Sequence, residues 1–290
     1  VRHRPSTARL AGVLALVLLA TAAGPASAAP PKRIVALTPF TANTLAALGV
    51  KPVGVGETLG GDDRLSPKLR GVKRLPLSHP NGPNMEQLAL LNPQLVLSAP
   101  AWKKGESVMR QLKMRVVESD PQSVAAVGVE TKRIGALVGK AALAKRFAAK
   151  QLAHVKASKK AVKRHPSVLL ILGVGRTPYA FLKNSWGGDL VRQSGGRLIT
   201  KGLTGSGGFA RISNEYVVQQ DPDVIIAVPH GDAADIPKLA AYLKSNPAWA
   251  TTRAVTAGHL YVSDDNTLLQ ASTDAAQRMK IVQTTYLKNR

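Results

Sequence analysis

Two windows of this chain, 129 residues apart, carry one pattern, and that pattern limits what the chain can fold into. Met85-Glu-Gln-Leu-Ala-Leu-Leu-Asn-Pro-Gln-Leu-Val-Leu-Ser-Ala-Pro100 is the first; Asn214-Glu-Tyr-Val-Val-Gln-Gln-Asp-Pro-Asp-Val-Ile-Ile-Ala-Val-Pro229 is the second. Each has Glu in second place, Asn or Asp then Pro in the eighth and ninth, one polar residue, three apolar residues and a closing Pro. The pattern predicts a short helix, a turn and a buried strand. Glu86 and Glu215 then fall in a first helical turn, where the aligned peptide dipoles favour a carboxylate. A helix–turn–strand unit that occurs twice implies two related α/β lobes.

The surrounding patterns agree. Arg33–Leu37 reads as a strand ended by Thr38-Pro39, followed by a helix over Thr41–Leu48 closed at Gly49 and a strand over Pro52–Gly56. A helix over Ser107–Met114 and a strand over Arg115–Val117 complete the first lobe. The second begins with a strand at Val168–Leu172 and continues with Gly173-Val-Gly-Arg-Thr177. That glycine pair lacks the third glycine, the helix opening and the downstream acid of a nucleotide fingerprint. Helices over Asp189–Ser194 and Lys238–Lys244, a strand near His259–Val262 and a closing helix over Thr273–Tyr286 follow. Ligand sites in open sheets lie beyond the C-terminal strand ends. In the first lobe these are the loops Thr38–Thr41, Glu57–Gly61, Ser78–Gly82 and Ala99–Lys104.

Between the lobes, Asp120-Pro121 reads as a helix start, because Asp caps free amides and Pro fits the first turn. Val124, Val127, Ile134, Leu137 and Val138 recur at helical spacing, Gly139 marks a break, and Ala141–Lys163 reads as a second helix. The first helix is either a rigid bridge between lobes or an ordinary crossover in one domain.

Arg2, Arg4 and Arg9 precede an apolar run from Leu10 to Ala23 and a small-x-small signal at Ala26-Ser-Ala28. This predicts a secretory leader, residues 1–28. There is no cysteine, hence no disulfide and no thiol for a lipid. The expected location is a periplasm or a cell surface, without a lipid anchor. The formal net charge is +23, and loss of the three leader arginines leaves +20. From Thr131 to Gly188 there are thirteen Lys or Arg and no acid, which predicts a solvated basic helix face able to meet an anionic envelope. Export and an aromatic content of 4% argue against a physiological nucleic-acid partner.

The chain resembles the substrate-binding proteins of ABC importers, in the class with a helical backbone between lobes that carries cobalamin, ferric siderophores or haem. The resemblance rests on Arg33–Gly49, Pro52–Gly56, Asn84-Met-Glu86 with Asn92–Leu97, and Ile212-Ser-Asn-Glu215 with Asp221–Ile225, and spans about residues 32–285. It implies an N-terminal α/β lobe over 29–120, a bridging helix over 121–139 and a C-terminal α/β lobe over 140–290. Each lobe is then a mostly parallel sheet flanked by helices. It further implies a monomer with no intrinsic cofactor that captures an iron chelate in the cleft. Glu86 and Glu215 match the positions at which such carriers dock on the arginines of an ABC permease, a geometry suited to steering.

The expected ligand is a ferric siderophore, with haem or cobalamin as alternatives. Candidate contacts are Thr38, Ser78, His79, Trp102, Lys103, Arg176, Tyr179, Trp186, Phe209, Arg211, His230 and Asp264. His79, His230 and Tyr179 are chemically able to ligate haem iron. Arg176, Arg211 and Lys103 suit carboxylates on a chelate, and the aromatic residues suit a planar or bulky one. The rival readings are a basic envelope-binding protein and an exported hydrolase. The second is disfavoured, since Gly205-Ser-Gly207 does not have nucleophile-elbow spacing. Converging ligands for a bare metal ion are not evident in the spacing.

Overall fold

The structure is a computed structural model that describes residues 29–57, 64–160, 164–232, 234–263 and 265–288. The predicted leader and Asp264 lie outside these residues, as does most of the Glu57–Gly61 loop. The first lobe runs β1 (Ile34–Ala36), α1 (Pro39–Ala47), β2 (Gly54–Glu57), β3 (Lys73–Ser78), β4 (Gly82–Pro83), α2 (Met85–Leu90), β5 (Leu95–Ser98), α3 (Lys103–Gln111) and β6 (Val116–Glu118). Its strand order is β4-β3-β2-β1-β5-β6, parallel except for β4. Next come α4 (Val124–Leu137) and α5 (Ala141–Lys160).

The second lobe runs β7 (Ser167–Val174), β8 (Thr177–Phe181), α6 (Trp186–Gln193), β9 (Arg197–Leu198), β10 (Phe209–Arg211), α7 (Asn214–Gln220), β11 (Val224–His230), α8 (Ile236–Lys244), α9 (Arg253–Thr256), β12 (Leu260–Val262) and α10 (Ala275–Ile281). A π-helical turn over Val282–Leu287 follows. The strand order is β10-β8-β7-β11-β12, with β9 beside the start of β7.

The two sequence windows fold alike. Asn84 caps α2 by accepting from Gln87 N, and Ser213 caps α7 by accepting from Tyr216 N. Each helix ends in a left-handed polar residue before the proline: Asn92 at φ 42° and Asp221 at φ 40°. Asn and Asp tolerate this region better than other side chains with a Cβ. The strands that follow, β5 and β11, each lie beside the first strand of their lobe. The lobes differ next to that strand. Gly175, at φ 56°, turns β7 back into an antiparallel hairpin with β8, where the first lobe has a parallel crossover. Neither β8 nor β10 is among the elements predicted from the sequence.

Side chains alternate across a strand, and here the alternation divides the core. Ile34, Ala36, Leu95 and Leu97 of one sheet, with Val168, Leu170, Val224 and Ile226 of the other, belong to one continuous apolar core. Val124, Val127 and Ile134 of α4 lie within it. The opposite sheet faces are buried separately within each lobe. The helix linking the lobes is therefore a packed element of a shared core. It packs on α1 of the first lobe and α6 of the second, while α5 packs on α4 and α10.

The start of α4 corrects one expectation. Ser123 is its N-cap, accepting from Ala126 N at 3.2 Å, and Asp120 lies upstream in the irregular segment after β6. A second acceptor comes from the other lobe: Asp189 Oδ2 accepts from Val124 N at 2.9 Å. Among the described residues no helix is long and apolar enough to cross a membrane.

Gly135 sets how closely α4 and α5 approach. A Cβ there would stand 2.2 Å from Ala144 Cβ and 3.2 Å from Lys140 O. Gly135→Ala is expected to destabilise the protein by about 1–3 kcal/mol through overpacking. A urea midpoint equal to the unmodified protein's would refute this close approach.

Candidate functional site

A cavity of about 680 Å³ lies between the lobes, a size in the range of small-molecule sites. The first lobe contributes Thr38, His79, Ala99–Trp102, Asp120 and Gln122. The second contributes Asn184–Trp186, Gly207–Phe209, His230 and Leu269–Ala271. Thr38 follows β1, His79 follows β3, Ala99 follows β5, Asp120 follows β6 and His230 ends β11. The site is built from C-terminal strand ends, where parallel sheets present their loops.

The walls are largely apolar and aromatic. Trp102 is buried, its ring edge-on to His79 at 6.2 Å between centroids, and its indole N–H has no partner among the described residues. Trp186 is pinned by an indole N–H donated to Thr267 O at 2.9 Å. Phe209 packs edge-on against Phe181 at 4.8 Å. Gly208, at φ 86°, passes so close to Ser185 that a Cβ would lie 2.8 Å from the Ser185 Cβ. A side chain at that position would invade the wall. Thr38 faces the cavity while its hydroxyl is held by Thr41 in the cap of α1.

One histidine comes from each lobe. His79 is exposed on the first-lobe wall. His230 is half-buried on the second, and its Nδ1 is buried without a hydrogen-bond partner among the described residues. Burial holds the His230 pKa below the usual imidazole value, and charge on the nearby His79 ring lowers it further. A ring held neutral keeps a lone pair available for a metal.

The remaining predicted contacts fall elsewhere. Arg176 sits in the β7–β8 turn with its guanidinium 5.7 Å from the centre of the Tyr242 ring. Tyr179 and Arg211 face each other across the β8–β10 pair. Ser78 is exposed and paired with Gly82. Lys103 is the exposed first residue of α3. None of these five lines the cavity. Arg176 belongs to a hairpin turn, and Tyr179 and Arg211 to paired strands at one end of the second sheet. Among the described residues no group of three or more His, Asp or Glu could hold a metal ion.

Sequence reasoning missed Asp120 and Gln122 as lining residues, because Asp-Pro read as a helix start. Asp120 is the only carboxylate, and no Lys or Arg is present, among the described lining residues. Gln122 Nε2 donates to Asp120 Oδ2 at 2.7 Å, and no cation pairs with it among the described residues. Burial raises its pKa to about 6; the Gln122 bond opposes the rise and the Glu130 charge adds to it. A carboxyl whose folded pKa exceeds the unfolded one destabilises the fold when ionised. That cost is fully present above pH about 6 and is relieved as pH falls towards 3.8. Asp120→Asn is therefore expected to raise Tm at pH 7.5 by a few degrees, about 2–4 °C for each kcal/mol regained. The gain should shrink towards pH 4; a gain that is the same at both pH values would disprove the burial of an ionised Asp120.

The comparisons with known proteins bear on this two-lobed cleft. The periplasmic binding protein family matches residues 34–267. The High-affinity heme uptake system protein IsdE of Staphylococcus aureus is 28% identical over 192 residues, and the match spans 64% of this chain and 64% of that protein. A structure of S. aureus IsdE complexed with heme superposes with a TM-score of 0.74 at 25% identity, covering 88% of this chain and 99% of that one. An ABC transporter substrate-binding protein from Listeria monocytogenes gives 0.75 at 25% identity, covering 90% and 100%. The vitamin B12 binding protein BtuF of Vibrio cholerae shares the fold, with a TM-score of 0.68 at 17% identity over 89% and 97%. With a family match over most of its length and this cleft between two lobes, the chain belongs to the periplasmic binding protein family.

Proposed function

We propose that this chain captures haem in the interlobe cavity, outside the cytoplasm, and delivers it to an ABC permease. The observation that carries the reading is the pair of histidines, one from each lobe, on the walls of one apolar cavity, with the buried His230 Nδ1 left without a partner among the described residues. A neutral imidazole is a good donor to haem iron. Trp102 and Phe209 offer apolar surface to a planar macrocycle. The relative named as a heme uptake protein and the structure complexed with heme support the same choice. A ferric siderophore carrying several carboxylates suits the site less well, because Arg176, Arg211 and Lys103 do not line it. A neutral or cationic chelate is the second reading, favoured by Asp120 as the formal charge among the described lining residues.

Haem titration is expected to give a one-to-one complex with a shifted Soret band. His230→Ala should weaken it by at least about tenfold, the 1.4 kcal/mol equivalent of one lost ligand contact, and should alter the band. His79→Ala should do the same if both rings reach the iron. Tight binding of a ferric hydroxamate with no response to haem would replace haem by the second reading.

Glu86 and Glu215 fit permease docking. Both are exposed, each lies in the first turn of its repeat helix, and neither is ion-paired among the described residues. Changing both to Ala should abolish haem-dependent uptake while haem affinity stays within about twofold, as for rim charges that steer encounter without touching ligand. Undiminished uptake by the double variant would exclude that role.

A further inference from the structure

We propose that the outer face of α5 is a docking surface for a linear anionic polymer with phosphodiester repeats, of the kind that coats a cell envelope. The inference is independent of the cargo, since no residue of α4 or α5 lines the cavity.

Lys145, Arg146, Lys150, Lys156 and Lys159 are all exposed on α5, and none is ion-paired among the described residues. Surface helices ordinarily offset such charges with acids three or four residues away. Here there is no acid from Thr131 to Gly188. Arg146 and Lys150 even stand at the spacing where like charges repel. The helix is held by its packing on α4 and α10, so its outer face is free to carry one sign. Such a face raises the local concentration of polyanions.

The arrangement selects a polymer over a bilayer. Helical periodicity sets Lys145, Lys156 and Lys159 along one shoulder and Arg146 and Lys150 along the other, with exposed Ala149 and Ala153 between them. At 1.5 Å per residue the first row runs roughly 21 Å from Lys145 to Lys159, and the second, Arg146 to Lys150, runs roughly 6 Å beside its first half. A flexible chain lying along the small residues reaches both rows, whereas a flat surface meets mainly the crest. Exposed Leu143 and Leu152 lie on opposite shoulders and form no strip to insert, and the α5 aromatic, Phe147, is half-buried. Membrane-surface helices rely on such an apolar strip. Nucleic acid would find no aromatic platform for its bases.

The test is calorimetric binding of synthetic poly(glycerol phosphate) to the full chain, alongside vesicles rich in anionic phospholipid and single-stranded DNA. With four or five phosphates contacted, affinity should fall roughly 50- to 100-fold between about 50 and about 200 mM salt. K145Q/R146Q/K150Q/K156Q should abolish most of the binding and flatten that salt dependence, with haem binding and the far-ultraviolet spectrum unchanged. A control, K51Q/K68Q/K238Q/K244Q, removes the same charge from exposed sites elsewhere and should bind like the unmodified chain. Equal losses in both variants, or none in the α5 variant, would overturn the proposal, as would vesicles or DNA binding as tightly with the same sensitivity to the α5 changes.

Discussion

The burial of α4 in a core shared by both lobes is the constraint from which the site follows. Domains joined by small polar contacts are expected to move against each other; a large apolar interface removes that freedom. Here Val124, Val127 and Ile134 pack with residues of both sheets, so separating the lobes exposes the inside of the molecule. Polar contacts add direction. Val124 N donates to Asp189 of the second lobe, and the Thr44 hydroxyl meets the Thr273 hydroxyl at 2.8 Å across the lobes. Arg64 pairs with the buried Asp265 from the opposite side. Close-packed interiors deform little, which fixes the spacing of the cavity walls. The site then selects by the shape and chemistry of walls already in place.

Legibility in the sequence followed the range of the interaction. The repeat was legible because local rules write it: a capping residue, a first-turn acid, a left-handed Asn or Asp before Pro, and an apolar strand. The rule that ligands lie beyond strand ends then found the loops carrying Thr38, His79 and Trp102, and the end of β11 carrying His230. The β7–β8 hairpin was not legible, since Gly173-Val-Gly-Arg reads equally well as a loop, and only pairing decides. Strand pairing places Arg176 in the hairpin turn and Tyr179 and Arg211 on β8 and β10, away from the cavity lining. Asp120 failed in the opposite direction. Its local signal for a cap is strong, but Ser123, three residues on, takes the cap, leaving Asp120 in the cavity wall. Gln270 and Asn184 carry no local signal, because tertiary folding alone brings their loops to the site.

Charge is partitioned across the molecule, and the partition bears on how an anionic cargo can sit. The chain carries a formal +23, with its densest cationic run on a helix remote from the cavity. The described lining has no Lys or Arg and one carboxylate. At physiological salt exposed charges are screened within about 8 Å, so the α5 cations cannot neutralise a group buried against Asp120. A carboxylate placed there would be desolvated beside a like charge, which is costly twice over. An acidic group of a ligand is therefore disfavoured beside Asp120, while the apolar surfaces of Trp102 and Phe209 suit its uncharged part.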